Sequence, residues 1–513
     1  MMLTFNLVDA PWIPCIDAAE RAVELSLRET LARAHELREL GGDSPLATAA
    51  LYRLLLAVLH RVINGPESYD AWAALWEARR FDAARIGAYL TQWRERFDLF
   101  HPQRPFYQKA DDRLKPKSLT SLVHDVASGN HATLFDHHTD ADGISLTPAQ
   151  AARALLAAQA FGLAGLCLPG RPFTDAPCAR GIIFLAQGDT VFETLLLNLL
   201  RYDDERPLPG SSQDRPAWEM DDPFTPNRQI PFGYLDYLTW QNRRVLYLPE
   251  ETPDGPLVRE MTLGPGLRLD ATVADPMKHY RKDEKLGPRP LRFNEDRALW
   301  RDSAALLSLT RPDYRPPLVF NWLAELVGEG ILRKEQTRRM LALGMANDQA
   351  KVEFFRAERW PLPLVYLQKQ DLVEALQTAL DMAEAASNQL WGAARTLGTL
   401  FICPEFDFQE KRKVPPEADS MLEQWGIKRR YWAQLESPFR LMLEALPADR
   451  DGALADWRKT LHRAAWRAFD GIAENLAANP RTLKAAVRAR EQLAAGLGKA
   501  LPEQESQTHE EVE

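Results

Sequence analysis

The sequence predicts an α+β protein, in which a large mixed α/β N-terminal domain is followed by an all-α four-helix bundle. Strand-like and helical segments alternate with Pro-, Asp- and Gly-rich loops as far as Trp360-Pro-Leu-Pro363. After that point the apolar pattern is almost purely helical. We therefore expect the mixed domain over residues 1–365, the bundle over 366–500 and an acidic, frayed tail over 501–513.

The mixed domain begins with a predicted strand, since apolar and polar residues alternate through residues 3–7. Ser44-Pro45 opens a helix, because serine caps a helix and proline fits its first turn. A second helical region is expected over residues 69–97. Thr147 and Thr190 each begin a capping-box pattern and predict two further helices.

The other predicted elements are strands, a long loop and the bundle helices. Residues 182–185 indicate a buried strand, and strand-like segments follow at 234–240 and 244–248. Residues 203–228 lack an apolar period, and loops of that length are usually functional or disordered. The bundle helices are predicted over four ranges, which are 371–400, 421–446, 454–476 and 480–497.

The overall charge is acidic, with 63 basic against 72 acidic residues and a formal net charge of −9. This balance argues against a stand-alone nucleic-acid binder, for which a basic domain is expected. Residues 452–499 differ, because they carry nine basic and only four acidic side chains. Two helical stripes hold most of these cations, namely Lys459, Arg463 and Arg467, and then Arg481, Lys484 and Arg488. The stripes are either solvated helix faces or contacts for nucleic-acid phosphates.

Composition excludes several classes of protein. Four cysteines without a CxxC pair rule out a disulfide scaffold and argue against a cysteine zinc site. The N-terminus has no secretory pattern, and the longest uncharged apolar stretch, 154–168, is too short to span a bilayer. We expect a cytoplasmic protein with no membrane partner, no cofactor and no bound metal.

One segment nevertheless has the composition of a metal site. Between His124 and Asp142 the chain contains His131, His137-His138 and several aspartates, and such residues bind divalent metals in phosphohydrolases. Its glycines and asparagine favour a loop over the rigid elements that hold metal ligands. The alternatives are therefore a polar surface loop and a metal-dependent phosphohydrolase or nuclease. The sequence contains no Walker A, GxGxxG, HExxH or GxSxG motif.

Two short motifs allow both a structural and a functional interpretation. Gly162-Leu-Ala-Gly165 ends the alanine-rich helix, either as a C-terminal cap or as a backbone segment that approaches a ligand closely. Asn347-Asp-Gln-Ala350 is a polar break, either an ordinary turn or a rigid tip presented to a partner.

Several motifs occur in a defined order along nearly the whole chain. They are Asp9-x-Pro-Trp-Ile-Pro14, Phe100-His-Pro-x-x-Pro-Phe-Tyr-Gln108, Ser128-Gly-Asn-His-Ala-Thr-Leu-Phe135, Arg180-Gly-Ile182 and Asn347-Asp-Gln-Ala350. Together with the helical C-terminal quarter, this set resembles the large subunit of the type I-E CRISPR Cascade complex, the CasA family.

The resemblance implies a non-catalytic subunit that recognises the protospacer-adjacent motif (PAM) in double-stranded DNA through the minor groove. It further implies a role in opening the duplex for guide-RNA pairing and a docking surface for a helicase-nuclease. The implied partners are double-stranded target DNA, the CRISPR guide RNA, other Cascade subunits and the helicase-nuclease.

The resemblance also implies site residues. A glycine loop falls on Gly162, Leu163, Ala164 and Gly165, and Ala164 stands where the family has a glycine. A glutamine wedge falls on Gln349, with Asp348 and Ala350 beside it. A loop that contacts the complex and the guide RNA falls on Asn130, His131, Leu134 and Phe135.

The family's lysine finger has no clear counterpart in this chain. Arg268 is the expected equivalent, with Lys278 or Lys282 as alternatives. The cationic bundle stripes would hold DNA without sequence preference. A pure scaffold is a third class of function, and it predicts that Gln349→Ala leaves DNA binding and opening unchanged.

Overall fold

The computed structural model describes residues 3–123, 144–168, 171–203, 206–285, 287–348, 351–409, 413–476 and 480–502. The chain divides into two compact units. The first comprises residues 1–299 and 308–368, and the second comprises residues 300–307 and 369–513. The short segment 300–307 therefore packs within the second unit, which a linear boundary after residue 365 does not anticipate.

Helices in the described part of the chain are numbered in chain order. They are α1 (Leu27–Ala32), α2 (Pro45–Ile63), α3 (Tyr69–Ala78), α4 (Ala83–Gln92), α5 (Pro148–Phe161), α6 (Val191–Leu197), α7 (Tyr234–Leu238), α8 (Ser303–Leu307), α9 (Leu318–Gly328), α10 (Gln370–Ile402), α11 (Pro416–Trp425), α12 (Ile427–Ala433), α13 (Glu436–Ala445), α14 (Arg450–Leu476) and α15 (Pro480–Ala500). Helix α8 and helices α10 to α15 belong to the second unit.

The described strands all belong to the first unit. They are β1 (Ile13–Asp17), β2 (Ala22–Leu25), β3 (Leu37–Leu40), β4 (Lys117–Ser118), β5 (Gly165–Leu168), β6 (Arg171–Phe173), β7 (Ile183–Gln187), β8 (Arg243–Thr252), β9 (Gly255–Pro265), β10 (Tyr280–Asp283), β11 (Gly287–Pro290), β12 (Tyr314–Arg315), β13 (Thr337–Asp348) and β14 (Lys351–Pro363). Small sheets result, in the orders β2-β1-β3, β4-β9-β8, β14-β13-β7 and β11-β10-β12, with a two-stranded ribbon β5-β6. The predicted α+β fold with a helical C-terminal region is confirmed.

Local sequence signals placed several elements correctly. The Ser44 hydroxyl accepts a bond from the Ala47 N–H at 3.3 Å and caps α2. Thr147 forms the complete capping box of α5, whereas Thr190 caps α6 only through its own side chain. The buried strand predicted at 182–185 is β7, whose residues are all buried.

The strand predicted over residues 3–7 is wrong. In this described stretch only Asn6 takes part in a bridge, an isolated one with Asp98, and the first strand begins at Ile13. The Leu7 N–H donates to the Phe97 carbonyl, and the Leu7 carbonyl accepts from a third segment at Leu27. Leu7 is fully buried, so the alternation reflects an extended stretch that fills the core.

The strand predicted at 234–240 is also wrong, because residues 234–238 form the short helix α7. All five residues of α7 are buried, Asp236 included, and a short, mostly apolar segment does not distinguish strand from helix. The Asp214 carboxylate accepts bonds from the N–H groups of Leu235 and Asp236 at the first turn. This cap comes from the long loop some 20 residues earlier in the chain, so no local pattern reveals it.

The second unit is built on long helices whose buried faces meet. Trp457 of α14 donates its indole N–H to the Ala379 carbonyl of α10 at 2.8 Å. Thr396 of α10 donates to the Gln492 side chain of α15 at 2.6 Å. Between these long helices, the single helix predicted over 421–446 is divided into α11, α12 and α13.

The first of the two breaks in that predicted helix follows from one glycine. Gly426 has a φ of +60°, the left-handed conformation that commonly ends a helix, and it terminates α11. The helical region predicted over 69–97 is interrupted in a similar way, since α3 ends at Arg79 in the left-handed conformation and α4 starts anew after Asp82.

Helix α2 is the central apolar helix of the first unit. It is long and apolar enough to cross a membrane by length and composition, but 83% of its most apolar window is buried inside the protein. A buried core helix explains the same composition.

His60, in the last turn of α2, predicts an acid-sensitive fold. It is fully buried between the rings of Tyr202 and Tyr234, each 5.2 Å away, and among the described residues neither ring nitrogen has a hydrogen-bond partner. Burial lowers the pKa of His60 from 6.5 to about 3. Below about pH 6.5 His60 therefore binds a proton in the unfolded chain but stays neutral in the folded chain. The free energy of unfolding consequently decreases as the pH is lowered.

We expect His60→Phe to remove this part of the acid sensitivity. At pH 5 the wild-type protein should have lost about 2 kcal/mol of unfolding free energy through His60 alone, relative to pH 7. Urea unfolding at pH 7 and pH 5 measures the difference. His35→Gln, at an exposed position, is the control. An unchanged pH profile in His60→Phe would contradict the assignment.

Candidate nucleic-acid interface

The segment 162–165, called the glycine loop below, joins helix α5 to the ribbon strand β5. Gly162 ends α5, and its N–H donates to the Ala158 carbonyl at 3.0 Å. Gly165 begins β5 opposite Phe173 of β6. The loop is therefore a helix cap and the entry to a β-ribbon at once.

Arg243, at the start of β8, holds the carbonyl side of the glycine loop. Its guanidinium donates to the Leu163 carbonyl at 2.7 Å and to the Thr174 carbonyl at 2.9 Å. The same group lies 4.6 Å from the centre of the Phe173 ring. Burial lowers the pKa of Arg243 to about 10, which leaves it charged at neutral pH. A buried cation thus fixes the path of the loop.

Asp175 fixes an N–H group of the same loop. Its carboxylate accepts from the Ala164 N–H at 2.8 Å and pairs with the Arg180 guanidinium at 2.8 Å. Arg292 lies in the same electrostatic neighbourhood, since burial and then the charge of Arg180 lower its pKa. The Ala164 N–H is therefore bonded within the protein.

The two glycines of the loop differ in what surrounds them. A Cβ atom at Gly162 would lie 2.7 Å from the Arg243 guanidinium and 2.8 Å from the Ala158 carbonyl oxygen. A Cβ atom at Gly165 would meet nothing within 4 Å. Packing thus requires glycine at 162 but not at 165. The space beside the Gly165 Cα is open, and a ligand needs such space to come close to the backbone.

Asn242 connects the glycine loop with the segment that carries Arg268. Its amide nitrogen donates to the Leu267 carbonyl at 3.0 Å and to the Thr174 hydroxyl at 3.1 Å. Arg268 follows Leu267 directly and is exposed. Asn242 and Arg243 together therefore bring two of the predicted DNA-contacting segments to one end of β8.

The two alternatives to Arg268 differ in accessibility. The Lys278 side chain is buried, and its ammonium donates to the Pro177 carbonyl at 2.6 Å, so it does not project into solvent. Lys282 is exposed on β10. Only Arg268 and Lys282 of the three therefore remain candidates for a projecting cation.

The predicted glutamine wedge belongs to the connection between β13 and β14. Asp348 pairs with Lys351 across this antiparallel hairpin. Gln349 and Ala350 lie outside the described residues, and so does the side chain of Asp348. Strand β7 pairs with β13 only from Arg339 to Leu343, so the hairpin continues about 16 Å beyond its sheet partner.

The base of this hairpin and the glycine loop share one framework. Gly344 of β13 packs so closely on the Gly181 carbonyl that a Cβ atom would lie 3.1 Å from it. Arg180, the preceding residue, is ion-paired to Asp175, which in turn holds the Ala164 N–H. Residues 175–181 therefore connect the hairpin base with the glycine loop through packing and polar contacts.

Several predicted residues lie in parts of the chain that the structure does not describe. The guide-RNA loop residues Asn130, His131, Leu134 and Phe135 fall within residues 124–143, as does the histidine- and aspartate-rich cluster. Both remain sequence predictions. Within the described ranges, no three His, Cys, Asp or Glu side chains form a group able to hold a metal ion.

The cationic stripes of the second unit lie on exposed helix faces. Lys459, Arg463 and Arg467 are all exposed on α14, and Lys459 pairs with Asp456 at 3.0 Å. On α15, Lys484 and Arg488 are exposed, whereas the side chain of Arg481 is outside the described part. The Arg488 guanidinium lies 5.5 Å from the centre of the Phe408 ring. Cationic side chains of both stripes are therefore accessible to a polyanion in solution.

Sequence reasoning missed Asn242, Arg243 and Asp175, although they position the glycine loop. Their bonds to the loop span 11 residues for Asp175 and 80 for Arg243. One signal was available, because Arg243 adjoins a strand that the sequence predicts, and a charge beside a buried strand usually has an internal partner.

Comparisons with known proteins place this chain among CRISPR-associated proteins. A family model described as CRISPR-associated protein Cse1 matches residues 6–468. The CasA/Cse1 protein of Thermus thermophilus is 36% identical over 509 residues, covering 96% of this chain and 97% of that protein.

Solved structures agree with the sequence matches. The crystal structure of Cse1 from Acidimicrobium ferrooxidans has a TM-score of 0.82 at 26% identity and covers 97% of this chain and 98% of its own. A chain in a structure described as a CRISPR RNA-guided surveillance complex has the same fold, with a TM-score of 0.76 at 24% identity over 96% of this chain and 99% of its own. Fold and sequence thus define a CRISPR-associated protein. The chain belongs to the Cse1 family, also called CasA, and the resemblance drawn from the motifs is confirmed.

Proposed function

We propose that this chain is the non-catalytic large subunit of a type I-E CRISPR Cascade complex and that it recognises the PAM in double-stranded DNA. Its proposed partners are the other Cascade subunits, the guide RNA, target DNA and the helicase-nuclease that it recruits. The proposal rests on family membership and on one structural observation above all, namely that the space beside the Gly165 Cα is open on a loop held by Arg243 and Asp175.

Rigid backbone is well suited to reading the minor groove. That groove displays only acceptors at A·T pairs and adds one donor at G·C pairs, so its readout is degenerate. A fixed loop that senses groove shape and the guanine amino group therefore tolerates several related motifs. Exposed Arg268 supplies a cation on a neighbouring segment of the same unit.

The proposed opening step uses the β13–β14 hairpin. A side chain inserted at a base step partly unstacks the duplex, at a cost of a few kcal/mol. In RNA-guided effectors, guide pairing replaces DNA pairing at near energetic balance, so a small contribution at the entry point decides the outcome. Gln349 is the residue that the family resemblance assigns to this step. The stripes on α14 and α15 would hold phosphates without reading sequence.

Gln349→Ala tests the proposal against a pure scaffold role. We expect the reconstituted complex to open intact duplex about tenfold more slowly, because the wedge lowers the barrier by roughly 1.4 kcal/mol. Fluorescence of 2-aminopurine at the first target pair measures opening. Gln377→Ala on α10 of the second unit is the matched control. If the complex with Gln349→Ala opens the duplex at the wild-type rate, the result favours a pure scaffold role.

A further inference from the structure

Leu166 stands apart from every other large apolar side chain in the described chain. It is 97% exposed, whereas the next most exposed, Leu441 on α13, is 69% exposed. Leu166 directly follows Gly165 on the ribbon β5-β6. A side chain this exposed contributes no free energy of apolar burial to folding, since little of its surface is removed from water.

The ribbon geometry directs Leu166 outward. Leu166 and Cys167 lie where the register of the ribbon is irregular, between Gly165 and Leu168. The Cys167 thiol lies 3.9 Å from the Leu263 carbonyl of β9, whereas the Leu166 side chain faces solvent. The ribbon itself is anchored, because Phe173 opposite Gly165 packs under the buried Arg243 guanidinium.

One exposed cation lies on the same ribbon as Leu166. Arg171 is exposed on β6, the strand paired with β5. The ribbon base holds the Lys117 ammonium, 5.8 Å from the centre of the Phe173 ring on which the Arg243 guanidinium also packs. A ribbon that presents an exposed leucine and an exposed arginine is complementary to a polyanion that has an apolar interior.

We propose that Leu166 is an apolar wedge that enters the minor groove of duplex DNA next to the glycine loop. This inference rests on the proposed function and adds a second inserting residue to it. Minor-groove proteins commonly insert leucine or another apolar side chain at a base step while cations contact the flanking phosphates. A protein partner fits less well, because protein interfaces bury clusters of apolar side chains rather than one.

Leu166 and the hairpin wedge would then act at neighbouring positions of the duplex. Leu166 contacts sugar edges and loosens stacking where the glycine loop holds the groove. Strand separation needs this loosening only when the target is paired. A target that is already open should not depend on Leu166.

Leu166→Ser in the full chain, reconstituted into the complex, tests this dependence. The probes are an intact duplex and a duplex with a preformed bubble at the first target pairs, both carrying 2-aminopurine. We expect Leu166→Ser to weaken binding and slow opening of the intact duplex about tenfold and to leave the bubble substrate unchanged. Leu441→Ser, at the other strongly exposed leucine, is the control. Because Leu166 is exposed, thermal unfolding should be unaltered.

The outcomes separate this inference from the proposed function. Equal losses on the intact and bubble substrates would identify a general contact and overturn the wedge. Wild-type behaviour of Leu166→Ser would also overturn it, while motif discrimination by the same complex would show that the proposed function stands. If the complex assembled without this chain still discriminates between flanking motifs, the proposed function is wrong.

Discussion

Gly165→Asp is expected to weaken binding of the reconstituted complex to intact target duplex on the order of 100-fold, without unfolding the chain. The added carboxylate enters open space, since even a Cβ atom there meets nothing within 4 Å. If the backbone at this position approaches the minor groove, the new negative charge lies between two rows of phosphates. Repulsion of like charges at such a contact costs several kcal/mol.

The neighbouring glycine provides the matched comparison. Gly162→Ala places a methyl group 2.8 Å from the Ala158 carbonyl, so it should lower thermal stability. Gly165→Ala should keep wild-type stability and show an intermediate loss of binding. Fluorescence anisotropy gives the binding constants, and thermal unfolding gives the stability. Tight DNA binding by Gly165→Asp would show that this loop does not touch the duplex.

Arg53→Met is expected to lower the free energy of unfolding by about 3–5 kcal/mol, because it leaves a buried carboxylate without its cation. Arg53 of α2 and Asp275 are both buried, and their side chains form an ion pair at 3.3 Å. The Arg53 guanidinium also donates to the Tyr237 carbonyl at 3.4 Å. Removing it therefore takes the charged donor from the Asp275 carboxylate and one of the donors from the Tyr237 carbonyl, which keeps its bond from the Trp240 N–H.

This pair supports the framework behind the candidate interface. Asp275 accepts a weak bond from the thiol of Cys178, three residues after Asp175. Burial raises the pKa of Cys178 to about 11, so the thiol stays protonated. Urea unfolding followed by tryptophan fluorescence measures the loss. Arg53→Met with Asp275→Asn should recover part of it, since the buried carboxylate that lost its arginine is then replaced by a neutral amide. Wild-type stability of Arg53→Met alone would contradict the account.

The fold could be predicted where the determining residues are close together in sequence. Ser44 and Thr147 cap the helices that directly follow them, and β7 shows its burial in its own composition. The prediction was wrong where a side chain distant in sequence determines the local structure. Asp214 caps the first turn of helix α7, and nothing in residues 234–240 distinguishes this helix from a strand.

The candidate interface, too, could be predicted only in part from the sequence. Glycine spacing drew attention to the segment 162–165 as either a helix cap or a ligand approach, and only the family resemblance implied a DNA contact there. The sequence did not distinguish Gly162, which packing requires, from Gly165, which packing leaves open. That distinction depends on Arg243, 80 residues away from the Leu163 carbonyl that it holds. Long-range polar contacts of this kind leave no local pattern.

Net charge was the least informative sequence property. The total of −9 argues against nucleic acid, yet exposed Lys459, Arg463 and Arg467 form a cationic face on α14. Phosphate contacts respond to the local arrangement of cations, whereas total charge bears on how the isolated chain behaves. We therefore expect weak DNA binding by the chain alone and strong binding only within the assembly.

PAM recognition by this chain is tested by comparing two duplexes in the reconstituted complex. Two duplexes share the target sequence and differ only in the flanking motif, one selected from a randomised library and the other with the complementary bases at those positions. The complex is reconstituted with and without this chain, and the ratio of the two dissociation constants is determined at one salt concentration. If this chain recognises the PAM, we expect a ratio of at least about 10 with the chain and about 1 without it. An equally large ratio in the absence of the chain would show that another subunit recognises the PAM.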